Sequence, residues 1–254
     1  MALLTQFILR LSFGLAAAML LASPRQVTSG YYRNNLYVLL GLNALAALVA
    51  WIGPSGEGLA IWPALVAAVA SYAGAASWLY EKAGPGMLAL AAVAASSLAG
   101  AWLTTANSVA SGPQAGIWLW AVDPAAGGAV LGVTMAAMLL GHWYLNAPGM
   151  SLAPLFRLTN GMIAVLIIRT ALAATGLWLS FQAGEAFDLT QWLFVAMRWL
   201  TGLAGALVVA VMARQTLKIP NTQSATGILY VGVILTFIGE LTAQLLSRGK
   251  PFPL

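Results

Sequence analysis

The chain contains no cysteine. Disulfides, thiolate zinc sites, iron–sulfur clusters and the covalent attachment of a c-type haem are therefore excluded within it. It has one histidine, His142, so a haem held between two histidines would need a ligand from a second chain. Charge is scarce too. Only 7% of the 254 residues are Asp, Glu, Lys or Arg, against about 25% in an ordinary soluble domain. Six are acids and eleven are Lys or Arg. The basic residues are scattered, several at the ends of apolar runs, so the net charge of +5 is no nucleic-acid footprint and no nucleic-acid partner is expected.

Apolar residues fill the chain instead. It is 61% hydrophobic with a mean hydropathy of +0.88. Eight runs approach or reach the roughly 20 residues that cross a bilayer as a helix. They are 4–22, 36–52, 60–80, 87–104, 126–145, 159–181, 189–213 and 225–246. Gly and Pro punctuate the breaks, as at Ser23-Pro24, Gly84-Pro85-Gly86 and Ala147-Pro148-Gly149. Barrel strands would be about half as long and would alternate in polarity. The expected fold is an all-α integral membrane protein: one polytopic domain over residues 1–254, a bundle of eight transmembrane helices. The first run, with small residues after Leu21, could pass for a signal peptide; it is read here as a retained first helix.

Loop charge sets the expected orientation. The loops after spans 1, 3, 5 and 7 hold Arg25, Arg33, Lys82, Arg157, Arg214 and Lys218, and the opposite side holds only Arg248 and Lys250. The positive-inside rule then places both termini outside, N-out and C-out. Glu57, Asp123, Glu185 and Asp188 fall opposite the basic loops. The longest outward loop, 105–125, carries Trp118 and Trp120, which suit an interfacial anchor. Small residues recur at four-residue spacing, Ala91, Ala95 and Ala99 in span 4 and Gly202, Ala206 and Ala210 in span 7. These are expected helix-packing faces. No internal sequence repeat and no interrupted helix pair is visible.

Ionisable residues inside these runs mark the candidate site, because a charge at bilayer depth costs at least a few kcal/mol. They are Arg10, Arg169, Arg198 and Glu240. At about 1.5 Å per residue, Arg198 lies roughly 13 Å and Glu240 roughly 9 Å below the outer edge, with Arg10 at similar depth and Arg169 nearer the middle. The short loop between spans 7 and 8 makes them neighbours, so Glu240 is expected to pair with Arg198, with Arg10 or Arg169 close by. Two chemistries fit: a structural ion pair, or surplus guanidinium donors that bind carbonyl, carboxylate or phosphate oxygens. Thr170, Gln191, Thr236, Thr242 and Gln244 could complete such a pocket. A second polar cluster, His142, Trp143 and Tyr144, sits at the inner end of span 5. It reads as an interface belt, with a quinone or lipid-headgroup contact as the functional alternative and haem ligation not expected. The polar, basic segment 214–226 suits a partner subunit or a solvated connector, with Ser224 able to cap span 8.

The run Phe237-Ile238-Gly239-Glu240-Leu241 and the eight-helix plan resemble the DmsC/NrfD-like membrane anchor subunits of molybdopterin and iron–sulfur oxidoreductases. Thr242, Ala243 and Gln244 stand where an Arg commonly follows Gly-Glu-Leu in that group. The resemblance implies a respiratory-type complex subunit of electron transport, set in a bacterial inner (cytoplasmic) membrane. It implies membrane lipids and other subunits as partners, quinone as the ligand, and no covalently bound cofactor. With so little mass outside the membrane, the chain is expected to be a quinone- or lipid-holding subunit rather than an enzyme alone. A small-molecule or ion transporter built on the Arg/Glu site, and a structural or assembly subunit without ligand, are the alternatives. Cysteines introduced at Gly56 and Ala183 are expected to react with an impermeant thiol reagent from outside, and those at Gly84 and Gln215 are not; the reverse pattern would overturn the orientation.

Overall fold

A computed structural model describes residues 2–53, 55–109, 117–147, 149–219 and 221–254. Among these residues there is no strand, and eight helices are long and apolar enough to cross a membrane. This is the architecture of a multi-pass integral membrane protein. The helices are α1 (Ala2–Leu20), α2 (Ser29–Ile52), α3 (Ile61–Leu79), α4 (Ala83–Val109), α5 (Ile117–Asn146), α6 (Ala153–Gln182), α7 (Leu189–Leu217) and α8 (Thr222–Leu246). A short 3-10 turn, Ser55–Ala60, leads into α3. Each expected span is present, and several are longer than the apolar run that announced them.

The helices close into two four-membered rings. α1 packs on α2, α2 on α3, α3 on α4, and α4 back on α1; α5 packs on α6, α6 on α7, α7 on α8, and α8 back on α5. Contact between α1 and α5 joins the rings. Arg10 lies against Gly128, and Gly14 against both Gly128 and Gly132. The contacts advance together along both helices, so α1 and α5 run parallel. The rings therefore repeat one order of connection that no repeat in the sequence betrays.

Glycine makes the central seam possible. A Cβ placed on Gly14 would fall 1.7 Å from the Gly128 carbonyl oxygen, and one on Gly132 would fall 1.7 Å from the Gly14 carbonyl carbon. Gly128 and Gly132 are one turn apart, the spacing that lets helix backbones touch in lipid, where no hydrophobic drive holds helices together. The same device joins α7 to α8, where a Cβ on Gly202 would meet Gly239 Cα at 2.4 Å. Gly202, Ala206 and Ala210 are all buried, as their spacing led us to expect. Ala91, Ala95 and Ala99 are exposed. The buried face of α4 is instead Leu90, Val93, Ala94, Ser97 and Ala101. An all-small stripe in a helix this rich in alanine does not by itself say which side packs.

Large apolar side chains such as Val69, Ile168, Leu200 and Ile234 cover the outside, a surface that suits lipid rather than water. The ends of the bundle differ in charge. At one end Arg157 Nη2 donates to Gln26 Oε1 at 2.8 Å and Arg214 Nε donates to Asn160 Oδ1 at 2.6 Å. At the other, Lys250 pairs with Glu185 at 2.8 Å and lies over the Phe187 ring. The basic loops thus gather on one end, as their alternation along the chain requires. Local caps also differ from expectation in one place. Asn221, not Ser224, caps α8, its side chain accepting from the Ser224 amide at 3.0 Å.

Gly14→Ala is expected to lower stability in detergent by about 2 kcal/mol or more, because the added methyl must separate two backbones. Gly41→Ala is the control. A Cβ there meets nothing within 4 Å, so thermal unfolding of that variant should be unchanged or slightly improved.

Candidate functional site

Five ionisable side chains meet where the rings join: Arg10 from α1, Asp123 from α5, Arg169 from α6, Arg198 from α7 and Glu240 from α8. All are buried, the three arginines to 2% exposure or less. Arg169 is the hub. Its Nε and Nη2 donate to the two oxygens of Glu240, each at 2.8 Å, and its Nη1 donates to Asp123 Oδ1 at 2.6 Å. Arg10 Nη2 holds the other Asp123 oxygen at 2.6 Å. Every carboxylate oxygen of the cluster is thereby engaged. Such charge-assisted, partly bidentate bonds are the geometry that makes buried ions tolerable.

Glycine again opens the space. A Cβ on Gly127 would lie 2.5 Å from Glu240 Oε2 and 3.2 Å from Arg10 Nη1. Bare backbone on α5 is what lets the α8 carboxylate and the α1 guanidinium stand side by side.

The expected Glu240–Arg198 pair does not form. Helices α7 and α8 are neighbours, but they touch through Gly202 and Gly239. The next residue on a helix turns by about 100°, so the face that carries Gly239 to α7 swings Glu240 toward α5 and α6. Adjacency in sequence gave the right helix pair and the wrong face. Arg198 has no ion pair among the described residues, and its Nε and Nη1 find no hydrogen-bond acceptor there. It also opens the π-helical stretch of α7, Arg198–Gly205, a winding that recurs at functional positions.

Asp123 is the member that sequence reasoning missed. We placed it in the outward loop 105–125, but α5 begins at Ile117 and carries Asp123 inside the bundle, 6% exposed. Pro124 follows it inside the helix and reads in the sequence as loop punctuation. The surplus of intramembrane arginine over Glu240 was the available signal that another acid was needed. Of the two tryptophans read as interfacial anchors, Trp118 is half exposed, whereas Trp120 is buried and donates from Nε1 to the Pro251 carbonyl at 3.0 Å. The segment 110–116 lies outside the described residues.

The supporting residues divide. Thr170, Thr236 and Thr242 turn their hydroxyls back to carbonyls of their own helices. Gln191 belongs to the capping box of α7 with Asp188, away from the site. Gln244 is near it. Both of its side-chain polar atoms are buried without a partner among the described residues, and with Gln6, Arg10, Thr104, Asp123 and the exposed Arg248 it lines a cleft of about 20 Å³. That is space for about one water. Two smaller cavities of about 10 Å³ flank Arg198 on the far side of Asp123. The last residues close over them. Phe252 and Leu254 are buried, and the Leu254 amide donates to Ser247 Oγ at 2.9 Å.

The second candidate cluster lies apart from the ions. His142 is exposed and makes no hydrogen bond among the described residues. Trp143 Nε1 donates to Thr28 Oγ1 at 2.8 Å, and the Tyr144 hydroxyl donates to the Ser151 carbonyl. Trp143 also meets Tyr31 edge-on. This patch ties the two rings together at the basic end. Among the described residues, no three His, Asp or Glu side chains gather as a metal-ligand set. No family model, curated protein or solved structure matches the chain.

Asp123→Asn is expected to destabilise the protein by roughly 3–5 kcal/mol, because it removes the one anion that Arg10 meets among the described residues and one of the two that Arg169 meets there. Thermal unfolding in detergent checks this. A loss under about 1 kcal/mol, the scale of an exposed pair, would return Asp123 to the surface loop.

Proposed function

We propose that this chain is an integral membrane subunit of a quinone-linked, respiratory-type complex, holding a quinone or lipid at its arginine cluster and anchoring partner subunits. The observation that carries the reading is Arg198, a buried guanidinium with two unengaged nitrogens in a cluster whose carboxylate oxygens are all taken. A donor set of that kind favours a ligand with acceptor oxygens. Arg10, Arg169 and Glu240 fix its position. The resemblance to the DmsC/NrfD-like anchors supplies the quinone and the redox partners. The N-out, C-out orientation rests on loop charge, and the bacterial inner membrane on the resemblance. At the basic end His142 faces lipid in this reading while Trp143 and Tyr144 turn inward, and the basic connector after α7 is the docking surface.

One observation favours a transporter as a second reading. Two rings with the same connection order, meeting at an ionic site, match the plan of carriers built from parallel repeats.

Purification in lipid nanodiscs cut directly from native membranes, followed by mass spectrometry, separates these. The proposal expects co-purifying redox subunits and about one extractable quinone or lipid per chain beyond the bulk lipid. A lone chain with no retained ligand, whose proteoliposomes take up a small anion in a manner lost in Arg198→Gln, would replace it with the transporter.

A further inference from the structure

We infer that Arg198 is the head-group subsite for an amphiphile with an anionic oxygen head, a long-chain carboxylate or lipid phosphate, that enters sideways from the membrane between α6 and α7. This rests on the reading above that the chain retains an apolar-tailed ligand; it narrows that ligand to an anion.

The charge balance points to an anion. The cluster holds three guanidinium groups against two carboxylates, and among the described residues the four carboxylate oxygens accept from Arg10 and Arg169 alone. Arg198, 2% exposed, is left without an ion pair among the described residues, and its Nε and Nη1 find no acceptor there. A buried guanidinium so placed is costly unless an anion joins it. A carboxylate or phosphate offers two oxygens to its planar fork.

The walls point to a tail. The two cavities beside Arg198 share Ala173 and Arg198 and differ in polarity. The inner one ends at Asp123 and Arg169. The outer one is bounded by Leu177, Val195 and Trp199. Each has room of about 10 Å³, enough for a head-group oxygen or a water and too small for a quinone ring or an acyl chain without repacking. The direction of entry follows from helix packing. The backbones of α6 and α7 approach mainly from Ala206 onward and little along Leu189–Met197; there side chains alone fill the seam, Phe181 stacked on Trp192 and Leu254 packed with Val195. A tail leaving Arg198 past Leu177 and Val195 into lipid takes the place that Leu254 fills.

The test is equilibrium binding of radiolabelled oleate to the full-length protein in nanodiscs of neutral phosphatidylcholine. Oleate should bind saturably at about one per chain, with dodecyl phosphate displacing it and acetate, inorganic phosphate and oleyl alcohol failing to do so. Arg198→Gln should weaken binding roughly ten- to a hundred-fold, the worth of a charge-assisted bond. Ala173→Val, a smaller addition to the wall common to both cavities that changes none of the five ions, should weaken it at least ten-fold and decides the matter if Arg198→Gln does not fold. Displacement by acetate or inorganic phosphate as potent as that by dodecyl phosphate would overturn the membrane entry. Equal binding of oleyl alcohol or decylubiquinone, unaffected by Arg198→Gln, would overturn the anionic head while leaving the quinone reading standing. Absence of saturable binding by oleate, dodecyl phosphate and decylubiquinone alike would overturn both.

Discussion

One guanidinium, Arg169, holds two carboxylates from two other helices. Glu240 takes two of its nitrogens and Asp123 the third, and Asp123 then reaches Arg10 on α1. This chain of charge crosses from α8 through α6 and α5 to α1, and so from one helix ring to the other. In lipid, helices gain nothing from hiding apolar surface from one another. Ionic bonds and close backbone contact must hold them instead. Remove Arg169 and two buried anions lose partners at once.

The glycine contacts follow from that demand. Short ion pairs between helix interiors need helix axes close enough for arginine to reach across. Gly14 against Gly128 and Gly132 brings α1 onto α5. Gly127, one position earlier, supplies the gap that Glu240 and Arg10 occupy. Gly239, next to Glu240, lets α7 approach α8 and so delivers Arg198 to the cluster's edge. Neither feature stands without the other: spread the backbones and the ions separate, and neutralise the ions and the parallel α1–α5 seam loses its polar lock.

Much of this was legible in the sequence, and the parts that were not have identifiable causes. Run length and the near absence of charge declared eight membrane helices. Arg10, Arg169, Arg198 and Glu240 declared themselves as charges where charge is costly, and all four meet. Their pairing was hidden, because it depends on which face of α8 turns to α7, and a glycine contact decided that. Asp123 was hidden by Pro124 and by the indole-rich stretch before it, which together imitate a loop. The paired rings were hidden because they repeat connection order and not residues. The packed face of α4 was hidden because alanine lines both of its sides.

The central claim is that Glu240 is bound to Arg169 and not to Arg198. Double-mutant cycles on unfolding in mixed micelles test it most directly, using Glu240→Gln with Arg169→Gln and Glu240→Gln with Arg198→Gln. The account predicts a coupling of about 2 kcal/mol or more for Arg169 with Glu240, and under about 0.5 kcal/mol for Arg198 with Glu240. The opposite order, with Arg198 strongly coupled and Arg169 additive, would contradict it.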